Sequence, residues 1–325
     1  MGKYRVVYTD NIYKDNEIEF RRFEAAGYDF CVAKGHDQAT LIEECRDADA
    51  VMISFAEMNE TIINELEKCK VIVRCGMGFN NVDISAATKK GIMVANVQKY
   101  CLEEVSDHAI ALMLTLVRKT AYMSKLLREG VWDPAKARPI PRLEEMTFGL
   151  YGLGGISSRV AAKAKAFGMN VVAYDPFLPE EYFGKMGVGR IEKEEDLFRT
   201  ADVLSVHLPL NAATTKIISY DKMKLMKPTA ILINTARGGL VDEAGLIRAL
   251  QEGAIGGAGL DVLADEYPDM SNPLFKMDNV IVTPHIAYYS EGSDVDLRNY
   301  ACNQVIQALE QGEPEFILNK KELGR

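Results

Sequence analysis

The chain has 325 residues, 48% hydrophobic and 26% charged, which suits roughly two globular domains and is too apolar for intrinsic disorder. Its 38 Lys and Arg against 47 Asp and Glu leave a net charge of −9, which argues against a broad basic footprint for nucleic acid. No apolar run approaches the ~20 residues that span a bilayer, and the opening MGKYRVVYTD lacks the apolar region and cleavage site of a secretory signal, so no membrane partner is expected.

Short β-rich runs alternate with helical patterns. Tyr4–Tyr8 is the first predicted strand, followed by a helix over Ile18–Ala26 that ends at Gly27. Next come a strand in YDFCVA, a helix through Leu41–Arg46, the strand Ala50–Ser54, a helix at Ile62–Lys68 and the strand Val71–Arg74. A helix opening at Asp83 and the strand Ile92–Asn96 close this series. Near-continuous Val/Ile/Leu runs mark strands buried on both faces, and strand–helix alternation implies βαβ units in a parallel sheet. Glu103–Arg118 then reads as one long helix that no Gly or Pro interrupts.

After a polar, Pro-bearing stretch (Trp132–Arg142) a second series begins, with strands over Phe148–Leu153, Asn170–Asp175, Val203–Leu208, Ala230–Thr235, Gly257–Val262 and Val280–His285. A closing helix is expected from about Asp294 to Leu309. Its return to the first series would make that domain discontinuous. The expected fold is therefore α/β with two doubly wound parallel sheets (Rossmann/flavodoxin-like). One domain comprises residues 1–101 plus about 290–325, and the other about 102–289. None of the six cysteines forms a C-x-x-C pair, which fits reduced thiols in a cytoplasm, and the four histidines form no metal-ligand pattern.

Gly152–Ser157 reads GLGGIS between a predicted strand and a helical pattern, and Asp175 ends the next strand about 20 residues on. In that setting Gly152 permits the tight turn and Gly154 lets a pyrophosphate approach the backbone. The helix N-terminus at Gly155 and Ile156 then offers free N–H groups and the positive end of its dipole. Asp175 can accept hydrogen bonds from ribose hydroxyls and would repel a 2′-phosphate, so the expected cofactor is NAD and not NADP. GLGG alone would mark only a tight turn; the strand, helix and acid around it give it weight. Ser157 stands where a third Gly is usual, and a slight adjustment of helix–strand contact is expected there.

Arg237 in NTARGGLVDE, Glu266 in GLDVLADEYP and His285 in VTPHIAYYSEG each lie just past a strand of the second series. Ligands of open α/β sheets sit beyond the carboxyl ends of strands, so the three can converge. His exchanges a proton near neutral pH, a carboxylate behind it fixes its tautomer, and Arg offers a planar donor fork to a carboxylate or carbonyl oxygen. Taken singly, His285 could cap a strand, Arg237 could be a surface charge at a helix entry, and Glu266 could be solvated. At successive strand ends beside a dinucleotide fingerprint, the set reads as catalytic.

The segments RCGMGFNNVD, GLGGIS, HLPLNAAT, NTARGGLVDE, GLDVLADE and TPHIA resemble the D-isomer-specific 2-hydroxyacid dehydrogenase family over essentially the whole chain. The resemblance implies two α/β domains with the active site in the cleft between them and a homodimer. It also implies an NAD-dependent dehydrogenase of a small 2-keto/2-hydroxy acid, with Arg237, Glu266 and His285 as substrate-binding and catalytic residues. VIVRCGMGF and TPHIAYYSE look most like the branch containing the C-terminal-binding-protein co-repressors. That likeness implies that Arg74 contacts the substrate carboxylate, that the Met77 and Gly78 amides help hold it, and that Tyr288 lines the pocket. By the same resemblance His207, Leu208, Pro209 and Thr214 skirt the nicotinamide ribose, Thr235 and Ala236 lie along the cofactor, and Asp261 faces the nicotinamide amide. Asn80 and Tyr267 depart from the usual Asp and Pro. The branch likeness also leaves open an NAD(H)-sensing interaction protein with weak activity. Formate oxidation is disfavoured, because formate enzymes typically carry Gln where Glu266 stands.

Overall fold

The computed structural model describes residues 2–10, 13 and 15–324. The chain divides into two compact units, one formed by Met1–Cys101 with Ser290–Arg325 and the other by Leu102–Tyr289. In chain order the first unit contributes β1 (Arg5–Tyr8), α1 (Glu17–Ala25), β2 (Asp29–Val32), α2 (Gln38–Cys45), β3 (Ala50–Ile53), α3 (Glu60–Glu65), β4 (Val71–Arg74), α4 (Ile84–Lys89) and β5 (Met93–Asn96). The second follows with α5 (Leu102–Val117), α6 (Thr120–Arg128), β6 (Thr147–Tyr151), α7 (Gly155–Ala166), β7 (Asn170–Tyr174), α8 (Glu180–Met186), β8 (Gly189–Arg190) and α9 (Glu194–Thr200). It continues with β9 (Val203–Val206), α10 (Tyr220–Met223), β10 (Ile231–Asn234), α11 (Glu243–Gln251), β11 (Gly257–Leu260) and β12 (Val280–Val282), and the chain closes with α12 (Glu291–Gln311). Among the described residues no helix is long and apolar enough to cross a membrane.

The first unit is a five-stranded parallel sheet ordered β2-β1-β3-β4-β5, the flavodoxin-like order. In its register Arg74 lies level with Ile53 and Asn96 at the carboxyl end of β4. Short polar caps start its helices: Asp37 accepts the Thr40 N–H, Asn59 that of Ile62 and Asp83 that of Ala86. The closing helix α12 packs on α1 and on β3, β4 and β5. Its Arg298 is buried and forks onto the fully buried Glu19 of α1, Nε to Oε1 at 2.8 Å and Nη2 to Oε2 at 2.6 Å. Beyond it, the buried side chain of Asn319 accepts the Val94 N–H at 3.0 Å and donates to the Ile92 carbonyl at 3.0 Å, which satisfies the outer edge of β5.

The second unit is a seven-stranded parallel sheet ordered β12-β11-β10-β9-β6-β7-β8, which is the Rossmann order with one strand added beside β11. One face is covered by α5 and α7, whose Ala109, Leu112, Met113, Val160 and Ala161 pack on Phe148, Leu150, Val203 and Ile233. The other face is closed by Leu197, Phe198, Met223, Leu246 and Ala249 against Leu204, Val206, Leu232 and Ala258. Each such side chain taken from water contributes about 1.5–3 kcal/mol, and that two-sided burial is why these strands read as unbroken apolar runs. The register sets Tyr151, Val206, Asn234 and Leu260 in one row, with Val282 level with Leu260, so the next residues of five strands emerge along one edge.

Several boundaries differ from the sequence expectation. The strands expected to reach Leu153, Asp175, Leu208, Thr235, Val262 and His285 stop at Tyr151, Tyr174, Val206, Asn234, Leu260 and Val282. Past those points side chains replace much of the ladder bonding. The closing helix is longer than expected at both ends, because a Ser290–Ser293 capping box starts it at Glu291 and Gly312, with φ +91°, stops it after Gln311. Helix α6 was not anticipated. The run from Glu103 to Arg128 holds no Gly or Pro, and its break falls at Lys119, which takes φ +54° and turns the chain without any compositional mark.

Candidate functional site

The glycine loop follows β6. Gly152 has φ +89°, and a Cβ there would lie 2.7 Å from the His207 carbonyl oxygen, so the position admits only glycine. Its N–H bonds the Tyr174 carbonyl at 2.9 Å. Asp175, one residue past β7, accepts the Leu153 N–H on Oδ2 and the Phe177 N–H on Oδ1, both at 3.0 Å. Asp175 thereby ties the loop to the neighbouring strand, and each oxygen keeps a lone pair for another donor. Nothing lies within 4 Å of the place a Gly154 Cβ would occupy, and no side chain caps α7, so the amides of its first turn face an open cradle. Ser157 is fully buried and turns its hydroxyl back onto the Gly154 carbonyl at 3.2 Å, so the serine is absorbed without an orphaned polar atom.

The loop after β9 runs along the same edge. Leu208 packs beside Gly152 and Leu210 beside Gly239, and the Lys216 N–H bonds the Gly239 carbonyl at 2.8 Å. Thr214 closes the loop, its hydroxyl donating to the Pro209 carbonyl at 2.6 Å and accepting the Asn211 N–H at 2.8 Å. The glycine loop, the 207–216 loop and the Arg237 turn are therefore continuous neighbours. After β10 the Thr235 hydroxyl is buried with no hydrogen-bond partner, and the Ala236 N–H bonds the Asn234 side chain at 3.0 Å. An open glycine cradle, an uncapped helix start, an acid at the end of β7 and an unsatisfied buried hydroxyl just past β10 together suit a dinucleotide.

Arg237 opens a short turn held by Asn234, whose side-chain amide donates to the Arg237 carbonyl at 2.9 Å; the Arg237 Nη1 bonds the Ala236 carbonyl at 2.6 Å. A Cβ on Gly238 would fall 1.7 Å from the Leu263 carbonyl oxygen, so this turn presses directly on the segment leading to Glu266. Glu243 braces that segment, accepting the Ala264 N–H at 3.0 Å and the Asn272 side-chain amide at 2.8 Å. Glu266 meets His285: Oε1 lies 2.5 Å from Nδ1, with the two side chains 47% and 31% exposed. The Tyr288 ring stands edge-on to the imidazole, with centroids 6.1 Å apart.

His285 adopts φ +52°, a left-handed conformation rare outside glycine and associated with functional sites. Asp261, 1% exposed, over-determines it. Its backbone carbonyl accepts the His285 N–H at 2.8 Å, Oδ1 accepts the Thr283 hydroxyl at 2.6 Å and the Ile286 N–H at 3.0 Å, and Oδ2 accepts the Ala287 N–H at 2.9 Å. His108 of α5 completes the set, with Nε2 2.9 Å from the Thr283 hydroxyl and 3.5 Å from Asp261. Asp261 thus holds the loop that carries His285. Asn234, Gly238, Glu243, Thr283 and His108 were not singled out from sequence; the N-x-x-R-G-G and T-P-H spacings were the available signals.

His207 is half-buried, with its Nε2 2.9 Å from the Ser205 hydroxyl, and burial pushes its pKa down to about 4 from 6.5. Between those values the unfolded chain holds a proton that the folded chain refuses, so this stability is complete above pH 6.5 and is lost as pH falls toward 4. His207→Gln is expected to remove about 2 kcal/mol of that acid-side decline, read from urea midpoints across the window.

Of the sequence-expected residues, Arg237, Glu266, His285, Tyr288, Asp261 and the cofactor set all lie along one edge of the second unit's sheet, while Arg74, Met77 and Gly78 lie in the first unit. There Arg74 ends β4, its Nε is buried without a partner, and the Met77 carbonyl accepts the Asn96 side-chain amide at 2.7 Å.

Residues 110–287 match the model described as D-isomer specific 2-hydroxyacid dehydrogenase, NAD binding domain. A protein named D-3-phosphoglycerate dehydrogenase from Methanocaldococcus jannaschii is 36% identical over 316 residues, covering 97% of this chain and 59% of its own length. The chain spans about half the length of two further relatives of that name, from Archaeoglobus fulgidus and Synechocystis, at 49% and 50%. Among solved structures, D-lactate dehydrogenase from Aquifex aeolicus, complexed with NAD and lactic acid, superposes with TM-score 0.84 at 29% identity over 94% of this chain and 96% of that one. A glyoxylate reductase from Paecilomyes thermophila gives 0.88 at 27% identity over 99% and 100%.

Proposed function

Because the chain belongs to the D-isomer specific 2-hydroxyacid dehydrogenase family, we propose that it interconverts a small 2-oxo acid and its D-2-hydroxy acid with NAD(H). The observation that carries this reading is the carboxylate-backed imidazole of Glu266 and His285 at the strand edge that also bears the glycine cradle. When bound, the nicotinamide supplies or accepts a hydride at C2. The protein's share is the proton. With Nδ1 held by Glu266, His285 presents Nε2 outward, and Nε2 gives its proton to the C2 oxygen in reduction and takes it back in oxidation. The charge left on the ring by the reverse step is balanced by Glu266. Arg237, fixed at its backbone by Asn234, directs a cationic fork to the substrate's carboxylate or carbonyl oxygen and polarises C2.

From the first unit, Arg74 and the Met77 and Gly78 amides serve the substrate carboxylate. Those amides bond no acceptor among the described residues, and the Arg74 Nε has none either. Asp175 takes the adenosine ribose hydroxyls and disfavours a 2′-phosphate. Family membership also favours a homodimer.

The test is NADH oxidation with a panel of 2-oxo acids. Turnover of about 1–10³ s⁻¹ on at least one acid is expected. Asp175→Ala should raise the KM for NADH about tenfold and narrow the preference for NADH over NADPH, with kcat nearly kept. A panel without turnover, or an Asp175→Ala variant with unaltered cofactor preference, would contradict the reading.

A further inference from the structure

A main-chain donor is only as well aimed as the peptide plane that carries it. The amides of Met77 and Gly78 lie in the loop after β4. Arg74, the last residue of β4, is level in register with Asn96, the last of β5, and the hold on this loop comes from that neighbouring strand end.

Gly76 takes φ +144° and passes under Arg74, where a Cβ would fall 1.7 Å from Nη1. Its carbonyl accepts the Val97 N–H at 3.1 Å. The next carbonyl, that of Met77, accepts Nδ2 of the Asn96 side chain at 2.7 Å. In a trans peptide the carbonyl and the following N–H point in opposite directions. Two successive carbonyls drawn to the end of β5 therefore turn two successive N–H groups, those of Met77 and Gly78, away from it. Neither N–H has an acceptor among the described residues, and both residues are partly exposed. Successive main-chain donors turned the same way suit the oxygens of an anion.

The Asn96 amide is itself oriented. Its Oδ1 accepts Nε2 of Gln98 at 3.1 Å, which leaves the Nδ2 hydrogens for the Met77 carbonyl. Asn96 is 2% exposed, and an apolar residue would fill that place at the end of β5 without desolvating an amide. The polar group serves the loop instead. The loop after β3 shows the contrast. There the amides of Ser54, Phe55 and Ala56 also converge, but Asp10 accepts all three, at 2.9, 2.5 and 2.9 Å. The chain satisfies those donors itself, whereas after β4 it holds the carbonyls and leaves the donors to a ligand.

Resting on the carboxylate seat proposed above, we propose that Asn96 is a positioning residue for the substrate. By holding the Met77 carbonyl it fixes the 77–78 peptide plane, and with it the Gly78 N–H that meets the carboxylate. The Val97 N–H holds the preceding plane in the same way, through the main chain. In Asn96→Leu, a change of similar volume, the Met77 carbonyl loses its donor. The plane is then free to rotate, because Gly78 has no Cβ to oppose it. Asn96→Ala, which adds no bulk, should behave alike.

The experiment titrates the NADH-loaded protein, isotopically labelled at methionine and glycine nitrogens, with oxamate, an unreactive analogue of a 2-oxo acid that carries one carboxylate. In the parent, oxamate should move the Met77 and Gly78 amide proton resonances downfield as hydrogen bonds to a charged acceptor form. In both variants the Gly78 movement should be lost, and oxamate should bind about 10–100-fold more weakly, the range for a hydrogen bond to a charged group. With the best 2-oxo acid the loss should fall on KM, with kcat kept within about threefold and the KM for NADH unchanged. A merely structural role would lower the melting temperature and the active fraction, and so kcat, while the folded fraction kept its affinity for oxamate. That pattern, a Gly78 resonance that oxamate leaves unmoved in the parent, or a parent that does not bind oxamate overturns the inference. Oxamate binding with the expected resonance movements and variant losses, but no NADH oxidation with any 2-oxo acid, upholds it and rejects the dehydrogenase reading instead.

Discussion

His285→Gln is expected to slow reduction of the best 2-oxo acid by about 10²–10⁴-fold, the range typical of losing a positioned general acid. The loss should fall on kcat, with the affinity for NADH changed less than about twofold, because the imidazole lies on β12's loop and the glycine cradle on β6's. Glutamine keeps a donor near the position of one ring nitrogen but cannot release a proton. Glu266→Gln should cost less, because the glutamine oxygen still accepts the Nδ1 hydrogen and only the charge that balances the imidazolium is lost. If the two residues act as one unit, the double variant will be little worse than His285→Gln alone. Single-turnover measurements of both variants and the pair decide the point. Full activity in His285→Gln would remove the proton-transfer assignment.

Asp261→Ala should damage both stability and activity. It strips the acceptor from the Thr283 hydroxyl and from the Ile286 and Ala287 amides. Each buried donor left unmade costs about 1–3 kcal/mol, less what relaxation and water recover. The loop also stores the strain of a left-handed His285, of order 1–3 kcal/mol, and would discharge it once the bonds that impose it are gone. A net loss of about 3–5 kcal/mol in unfolding free energy is expected, together with a kcat reduction near that of His285→Gln. Asp261→Asn keeps one acceptor oxygen but turns an N–H₂ toward an amide, so it should recover little. Thr283→Val removes one donor and acceptor of similar volume and should cost about 1–2 kcal/mol. Urea unfolding of the three variants beside their kcat values tests this; an Asp261→Ala protein as stable and active as the parent would show that the loop is held by something else.

The parts legible in the sequence were those written as runs and spacings. Val/Ile/Leu stretches announced parallel strands, GLGGIS with Asp175 announced the cradle, and Arg237, Glu266 and His285 could be placed just past strands. The structure sets all of these along one edge of the second unit's sheet. The unread parts depend on bonds between a side chain and distant main chain. Asp10 plugging the Ser54–Ala56 amides and Asp261 holding Thr283–Ala287 leave no periodic trace, since each is one polar residue whose partners lie far along the chain. Strand ends were overestimated for a related reason: apolar residues such as Leu153 and Val262 continue past the last ladder pair into the loops that build the site. Lys119 hid the boundary between α5 and α6, because an ordinary lysine took a conformation that composition reserves for glycine.

The return of α12 to the first unit fixes an order of events during synthesis. Residues up to Cys101 leave the ribosome well before Arg298, the partner of Glu19, and Asn319, which completes the edge of β5. A sheet with an unpaired edge and a buried glutamate awaiting its counter-charge cannot be complete at that stage. The intervening unit, Leu102–Tyr289, has both of its cores encoded without interruption and can close first. The amino-terminal region is therefore the last to mature, and chaperone contacts during translation should concentrate on its nascent strands until the carboxyl-terminal residues emerge.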